Sequence, residues 1–467
     1  MSIMKKYITI LIITISLLPS LAQDYRPSSL HFTPPQGWMN DPNGLVYLDG
    51  QYHLFYQHNP DTIIWAPMHW GHATSTDLIH WQHQPIALYP DSIGMIFSGS
   101  CVVDKHNTAG FGHNAIVAIY TVASTTQAQA IAYSTDGGQT FSKYNQGRPI
   151  LTADCPDFRD PKVFWYEKDE KWIMLLAAGG EIQFYASKNL KEWEKISSFG
   201  YGYGNHQGVW ECPDMFLLDD KWVLIVSVNP GGVWGGSATQ YFVGNFDGKR
   251  FITDDHIGSQ RWMDYGKDHY ATVTYNNAPA NRRIAITWLN NWEYATAIPA
   301  TTFRSCMAIP TELSIQKDND DYRLIVQPIS EIDKLKKRVD SIDEVKNCAY
   351  EIDIVVEPND QKRSIITLQN RKNEKVTFEY DFANRTFSMD RTQSGITDFA
   401  PSFKAITKAS INKCEQQRIR IIVDRQSIEI FDSNGQFCMT NLVFPTEPYS
   451  VITTTGENIS YSIYNLQ

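Results

Sequence analysis

The chain has 467 residues, 13% of them aromatic (13 Trp, 24 Tyr and 22 Phe), and a formal net charge of −10. That length exceeds one ordinary hydrophobic core and points to two domains. The negative balance disfavours nucleic acid or an anionic membrane surface as partner, leaving a neutral substrate as the simpler expectation, and abundant rings suit both cross-strand pairing and stacking on sugar faces.

At the amino terminus, Lys5-Lys6 precedes an apolar run from Tyr7 to Leu18, and Ser20-Leu21-Ala22 supplies small residues before a cut at Gln23. Residues 1–22 therefore read as a secretory signal, too short for a comfortable permanent membrane span. No Cys follows the run, so a lipid anchor is not expected. The expected location is periplasmic or extracellular, without a membrane anchor. The 7 Cys are widely spaced and odd in number, which gives no disulfide framework and no zinc pattern. A Cys414–Cys438 bridge in the tail stays open.

The first distinctive stretch is WMNDPNG, Trp38 to Gly44. Pro42 fixes its own φ and biases Asp41 away from helical geometry, and Gly44 permits a reversal before a strand begins at Leu45. Asp41 is thus expected on a rigid turn, with amides from Asn40 and Asn43 beside it.

Two patterns then recur. A polar turn runs into an apolar strand at 49–57, 113–122, 168–179, 219–230 and 281–290. In each unit a strand, an Asp-, Asn- or Gly-rich turn and an aromatic follow, at 73–83, 132–144 and 185–196, with a degenerate copy at 241–251. Short strands repeating at this spacing predict an all-β, five-bladed β-propeller over residues 23–320. The charged stretch 331–345 looks helix-like and is expected to act as a connector within a linker, 321–345. Beyond it, short alternating strands predict a β-sandwich over 346–467.

A propeller carries its active groups on the first strands of successive blades, so carboxylates in unusual local settings are the natural candidates. Asp41 is one. Asp160 precedes Pro161 ahead of the third-blade strand, and Glu211 sits between Trp210 and Cys212 ahead of the fourth. Singly, each has a structural reading: an Asx turn, a salt bridge with Arg159, a partly buried acid. Three acids at equivalent repeat positions favour chemistry.

The motifs WMNDPNG, FSGS (97–100), FRDPKVFW (158–165) and WECPDMF (210–216) resemble glycoside hydrolase family 32, the invertases, inulinases and levanases. FYQHNP (55–60), the stretch 65–81, DYGKDHYA (264–271), WLNNWEYA (288–295), RSCMAIPTEL (304–313) and VDRQSIEIFD (423–432) extend the resemblance across nearly the whole mature chain. Among members it is most similar to bacterial levanases and exo-fructanases. The resemblance implies a propeller joined to a sandwich. It also implies Asp41 as nucleophile, Asp160 as transition-state stabiliser and Glu211 as general acid/base. Substrate contacts would fall on Asn40, Gln57, Trp65, Phe97, Ser98, Arg159 and Trp288. Arg159 is expected to hold Asp160 ionised, and Trp65 and Trp288 to wall the pocket.

The expected activity is retaining hydrolysis of β-D-fructofuranosyl linkages in fructan oligo- or polysaccharides, with sucrose a further candidate, and exo attack favoured. Endo-levanase, fructosyltransferase and a silent fructan-binding protein are the alternatives. No cofactor or metal is expected: His69/His72 and His80/His83 lack completing acids, and a period-two strand would split each pair between faces. The stretch Ser134–Phe141 is similar to a sialidase Asp-box but occurs cleanly once, which reads as a hairpin turn.

Overall fold

The computed structural model describes residues 30–467 apart from 301, 319–320, 346–347, 358–362, 413–415 and 457. The expected signal segment and Cys414, with the bridge considered for it, lie outside these residues. Cys438 is a free, buried thiol that donates to the Met263 carbonyl at 3.2 Å.

Among the described residues the chain forms strands joined by turns and short 3-10 segments, with no α-helix. Five sheets follow one another from Gly37 to Pro328, each an antiparallel meander of four successive main strands. Their first strands are Gly37–Leu48, Met95–Asp104, Phe158–Tyr166, Val209–Leu218 and Tyr270–Thr274. The second strands carry the first sequence repeat. Ala115–Ala123 is buried at every position, and Lys171–Ala178 at every position after its first. A strand this continuously apolar needs cover on both faces. Neighbouring sheets supply it, sharing cores such as Val46, Trp70, Ile116 and Tyr120. The second repeat becomes the hairpins between third and fourth strands, where Asp136 accepts from Ser134 and Thr140.

The first strands touch in series, first sheet to second and so on to the fifth, and the fifth touches the first again. Phe303–Arg304 closes the chain further by pairing in parallel with Gly37 and Trp38. All five first strands therefore surround one axis.

Two further sheets, of six and five strands, form the remainder. Alternate residues of both, among them Ile352, Ile354, Phe378, Phe387, Ile421 and Ile430, share one core, as a period-two pattern requires. This two-sheet unit docks on the loop before the fifth sheet. Asp268 accepts the Leu442 amide at 2.7 Å, and Asp264 accepts the Thr440 amide at 3.0 Å.

Two expectations change. The stretch 331–345 is not a helical connector: a 3-10 turn, Ser330–Leu335, leads into Lys336–Val339, which pairs with the last strand, followed by a second 3-10 turn, Ile342–Glu344. Its charges serve a sheet edge, where Lys336 reaches the buried Glu351 at 2.5 Å. Asp321–Pro328, placed in the expected linker, is the fourth strand of the fifth sheet, paired with Thr311–Asp318.

Candidate active site

WMNDPNG is not a turn ahead of a strand but lies within Gly37–Leu48, with register shifts between Met39 and Pro42 and again between Asn43 and Val46. Pro42 has no N–H to give the ladder, and the two residues before it, Asn40 and Asp41, are skipped by the register. Gly44 adopts φ +57°, and a Cβ on it would lie 2.6 Å from the Phe55 ring. The same device recurs in every first strand. Shifts fall between Ile96 and Gly99, Arg159 and Lys162, Glu211 and Asp214, and Tyr270 and Val273. Bulges re-aim side chains, and these turn Asp41, Ser98, Asp160, Cys212 and Tyr270 toward one point. Asp160 and Cys212 take left-handed φ values of +62° and +46°. Non-glycine residues hold such values only where their surroundings impose them.

One network joins most of the expected site residues. Asn40 accepts the Trp38 indole N–H at 2.8 Å and donates to Asp41 at 2.9 Å. Ser98 donates to the other Asp41 oxygen at 2.6 Å. The Cys212 thiol lies 3.7 Å from that oxygen and 3.6 Å from Asp160, while the Cys212 amide donates to Asp160 at 2.9 Å. Glu211 accepts Arg159 Nε and Nη2 at 3.1 and 2.9 Å on one oxygen and the Tyr270 hydroxyl on the other. Asp41, Asp160 and Glu211 thus converge from the first, third and fourth sheets.

Arg159 favours the ionised form of Asp160 through its charge, not through a hydrogen bond. Its Nε stands 3.9 Å from that carboxylate, too long for a hydrogen bond, and its fork grips Glu211 and Asp157. Burial raises Asp160 to about 7, helped by the Glu211 and Asp41 charges and resisted by Arg159 and the Cys212 amide. Burial also raises Glu211, aided by Asp41, while Arg159 and the Tyr270 hydroxyl pull the other way.

The remaining predicted contacts divide. Trp65 is 37% exposed and meets Phe97 edge-on at 5.8 Å, forming an aromatic rim. Gln57 is buried, and its amide nitrogen has no hydrogen-bond partner among the described residues. Trp288 is completely buried, which corrects its expected place as a pocket wall. It packs against Trp292 at 4.8 Å and donates its indole N–H to Ser305. Among the described residues no group of three or more His, Cys, Asp or Glu could hold a metal ion.

The glycosyl hydrolases family 32 N-terminal domain model matches residues 31–328, and the family's C-terminal model matches 322–466. The chain belongs to glycoside hydrolase family 32. A levanase from Bacillus subtilis is 43% identical over 91% of this chain and 67% of its own length. An extracellular exo-inulinase from Aspergillus niger is 37% identical over 95% of both chains. The crystal structure of exo-inulinase from Aspergillus awamori superposes with a TM-score of 0.87 at 32% identity, covering 94% of this chain and 98% of that one.

In this family 32 glycoside hydrolase, sequence reasoning missed Cys212 and Tyr270 as members of the site. Both lay inside motifs already singled out. Cys212 is next to Glu211, and Tyr270 stands in DYGKDHYA, but neither a thiol between carboxylates nor a phenol on an acid announces itself in one dimension. Trp38, Met68, Tyr270 and Trp288 form an apolar cluster with Cys212 beside the acids, and that cluster supplies the burial behind the raised carboxylates.

Proposed function

We propose that this family 32 chain is a retaining β-fructosidase that releases fructose from the ends of fructans, levan or inulin, and from sucrose. The observation that carries the reading is the convergence of Asp41, Asp160 and Glu211 around the Cys212 thiol. Asp41, held by Asn40 and Ser98, attacks the anomeric carbon and forms a fructosyl ester. Glu211, raised by burial, gives its proton to the leaving oxygen, and then takes one from the water that cleaves the ester. Asp160 receives sugar hydroxyls: donors there favour its ionised form, adding to the charge of Arg159. Trp65 and Phe97 face the sugar, with Gln57 and Arg159 as further contacts and Trp288 acting from behind Trp292.

The five sheets around a common axis are read as the blades of a β-propeller, and the two-sheet unit as a β-sandwich. Residues 1–22 would export the enzyme to the periplasm or beyond, in keeping with its likeness to an extracellular exo-inulinase. No helix among the described residues is long and apolar enough to cross a membrane.

Product separation from levan, inulin and sucrose tests the reading. Fructose alone from the polymers is the expected result. A ladder of oligosaccharides would mean endo attack, chain-lengthened products at high sucrose would mean transfer, and no reducing sugar would leave only a binding protein.

A further inference from the structure

At the far ends of the same first strands lies a second depression, of about 680 Å³. Asp160 is the third residue of Phe158–Tyr166, and the depression is lined from Phe164 to the end of that strand and by Met215 to Leu217 of the next sheet. Four extended residues from Asp160 to Phe164, where the lining begins, put about 13 Å between the two places. This is not the catalytic pocket.

Its lining combines aromatic faces with donors that lack acceptors. The Trp165 indole N–H and the Arg283 Nε–H are both buried and have no hydrogen-bond partner among the described residues. Each group can only donate. Trp165 is fixed between the His106 ring at 5.6 Å and Trp172 at 4.9 Å, and Trp172 is itself tied to Thr108 at 2.9 Å. Arg283 lies over the Phe216 ring at 5.0 Å and leans on the Tyr275 carbonyl at 3.3 Å. The acid that most influences it, Asp214, is already paired with Lys162 at 2.9 Å. Trp222, half-buried, adds a further ring.

A ligand here must bring acceptor oxygens, tolerate aromatic faces and be large enough for a cavity of about 680 Å³, in the upper part of the roughly 300–1,000 Å³ range of ligand clefts. A lone phosphate or carboxylate meets the first condition only. An oligosaccharide meets all three, because hydroxyl and ring oxygens accept while the C–H faces of the rings stack. We propose that this depression is a second, non-catalytic site for a segment of fructan, holding the polymer on the enzyme while chain ends enter the catalytic mouth. The inference rests on the fructosidase reading.

The test uses the full-length chain with Glu211→Ala, which binds without cleaving, in native gels cast with levan or inulin. Trp165→Ala and, separately, Arg283→Met in that background should weaken the polymer's retardation by about three- to tenfold, the size of effect that one aromatic contact supplies. In the active enzyme the same substitutions should leave kcat/KM on sucrose within about twofold, which also reports that the variants fold. Retardation unchanged in both variants would overturn the site. So would quenching of Trp fluorescence by inorganic phosphate, lost in both variants, without quenching by a trisaccharide fructan. If the parent enzyme releases no fructose from any fructan, the fructosidase reading falls and this inference with it. If it releases fructose and the gels do not change, only this inference falls.

Discussion

Two clusters of buried charge use the same residue types and end in opposite states. Where the two-sheet unit docks, Asp268 accepts from the Arg391 guanidinium, the Tyr294 hydroxyl and the Leu442 amide. The other Arg391 donors go to the Phe403 and Leu442 carbonyls at 2.9 and 3.0 Å and to the Tyr294 hydroxyl at 2.8 Å. One cation meets one anion, and every guanidinium nitrogen and both carboxylate oxygens have a partner. In the candidate active site Arg159 is shared among Asp157, Asp160 and Glu211, and burial raises both Asp160 and Glu211. Burial costs both places the same solvation; pairing decides whether that cost is offset or left as reactivity. The interface is satisfied and inert, while burial leaves Asp160 at about 7 and holds Glu211 above its usual range.

The sharpest way to break that contrast is to delete one charge from each cluster. In the pocket, Asp41→Ala or Glu211→Ala should cost about a thousandfold or more in fructose release, with the melting temperature near that of the parent. An underpaired cluster loses little stability when an acid leaves. Near-normal activity in both variants would sink the assignment of roles. At the interface, Arg391→Met should do the reverse. It strands Asp268 in the core and should cost roughly 3–5 kcal/mol of stability, seen by calorimetry as a large fall in the melting temperature. The KM for sucrose, measured well below that temperature, should not move. A destabilisation below about 1 kcal/mol, the worth of an exposed pair, would show that the interface cluster is not closed.

What could be read in one dimension was periodic or contiguous. The second strands announced themselves as apolar runs at regular spacing, and the acids stood in motifs of consecutive residues. What could not be read was pairing across the chain. Arg159 sits next to Asp160 in sequence, so its bond to Glu211, which is 52 residues away, was not visible. Bulges left no signature either, since a strand with one residue too many keeps the composition of a strand. That is why WMNDPNG looked like a turn. Trp288 misled for a related reason: a ring in a sugar-binding motif reads as a wall, and only packing shows that Trp292 lies against it. The stretch 331–345 was charged enough to suggest a solvated helix, yet its lysines and acids border a sheet.

A smaller effect tests how the pocket tunes its acid. The Tyr270 hydroxyl donates to Glu211 and favours the ionised form, working against burial. In Tyr270→Phe that help disappears and the carboxyl rises further. Glu211 must be protonated to donate, so the basic limb of kcat/KM against pH should move to higher pH. The rate at the optimum should stay within about tenfold of the parent, on the scale of one hydrogen bond to a charged group. A limb that stays put, or moves to lower pH, would mean that another group carries the proton.

The smallest effect probes the interface side of the contrast, where His31 lies buried between Asp424 at 2.9 Å and Glu429 at 2.5 Å. Burial opposes charging this imidazole, but the two carboxylates override it and raise His31 from 6.5 to about 10. Burial also pushes Glu429 up, so a proton stays within the His31–Glu429 unit across the neutral range. A folded-state value above the unfolded one means that the stability contributed by His31 is fully present below about 6.5 and is lost as pH climbs toward 10. In His31→Gln the melting temperature should therefore fall most, relative to the parent, near pH 6, and the gap should narrow steadily by pH 9.5. A gap that is constant across that range would mean that His31 acts only by packing. A gap that widens would mean that it is neutral in the fold, and the interface would then carry unpaired acid just as the pocket does.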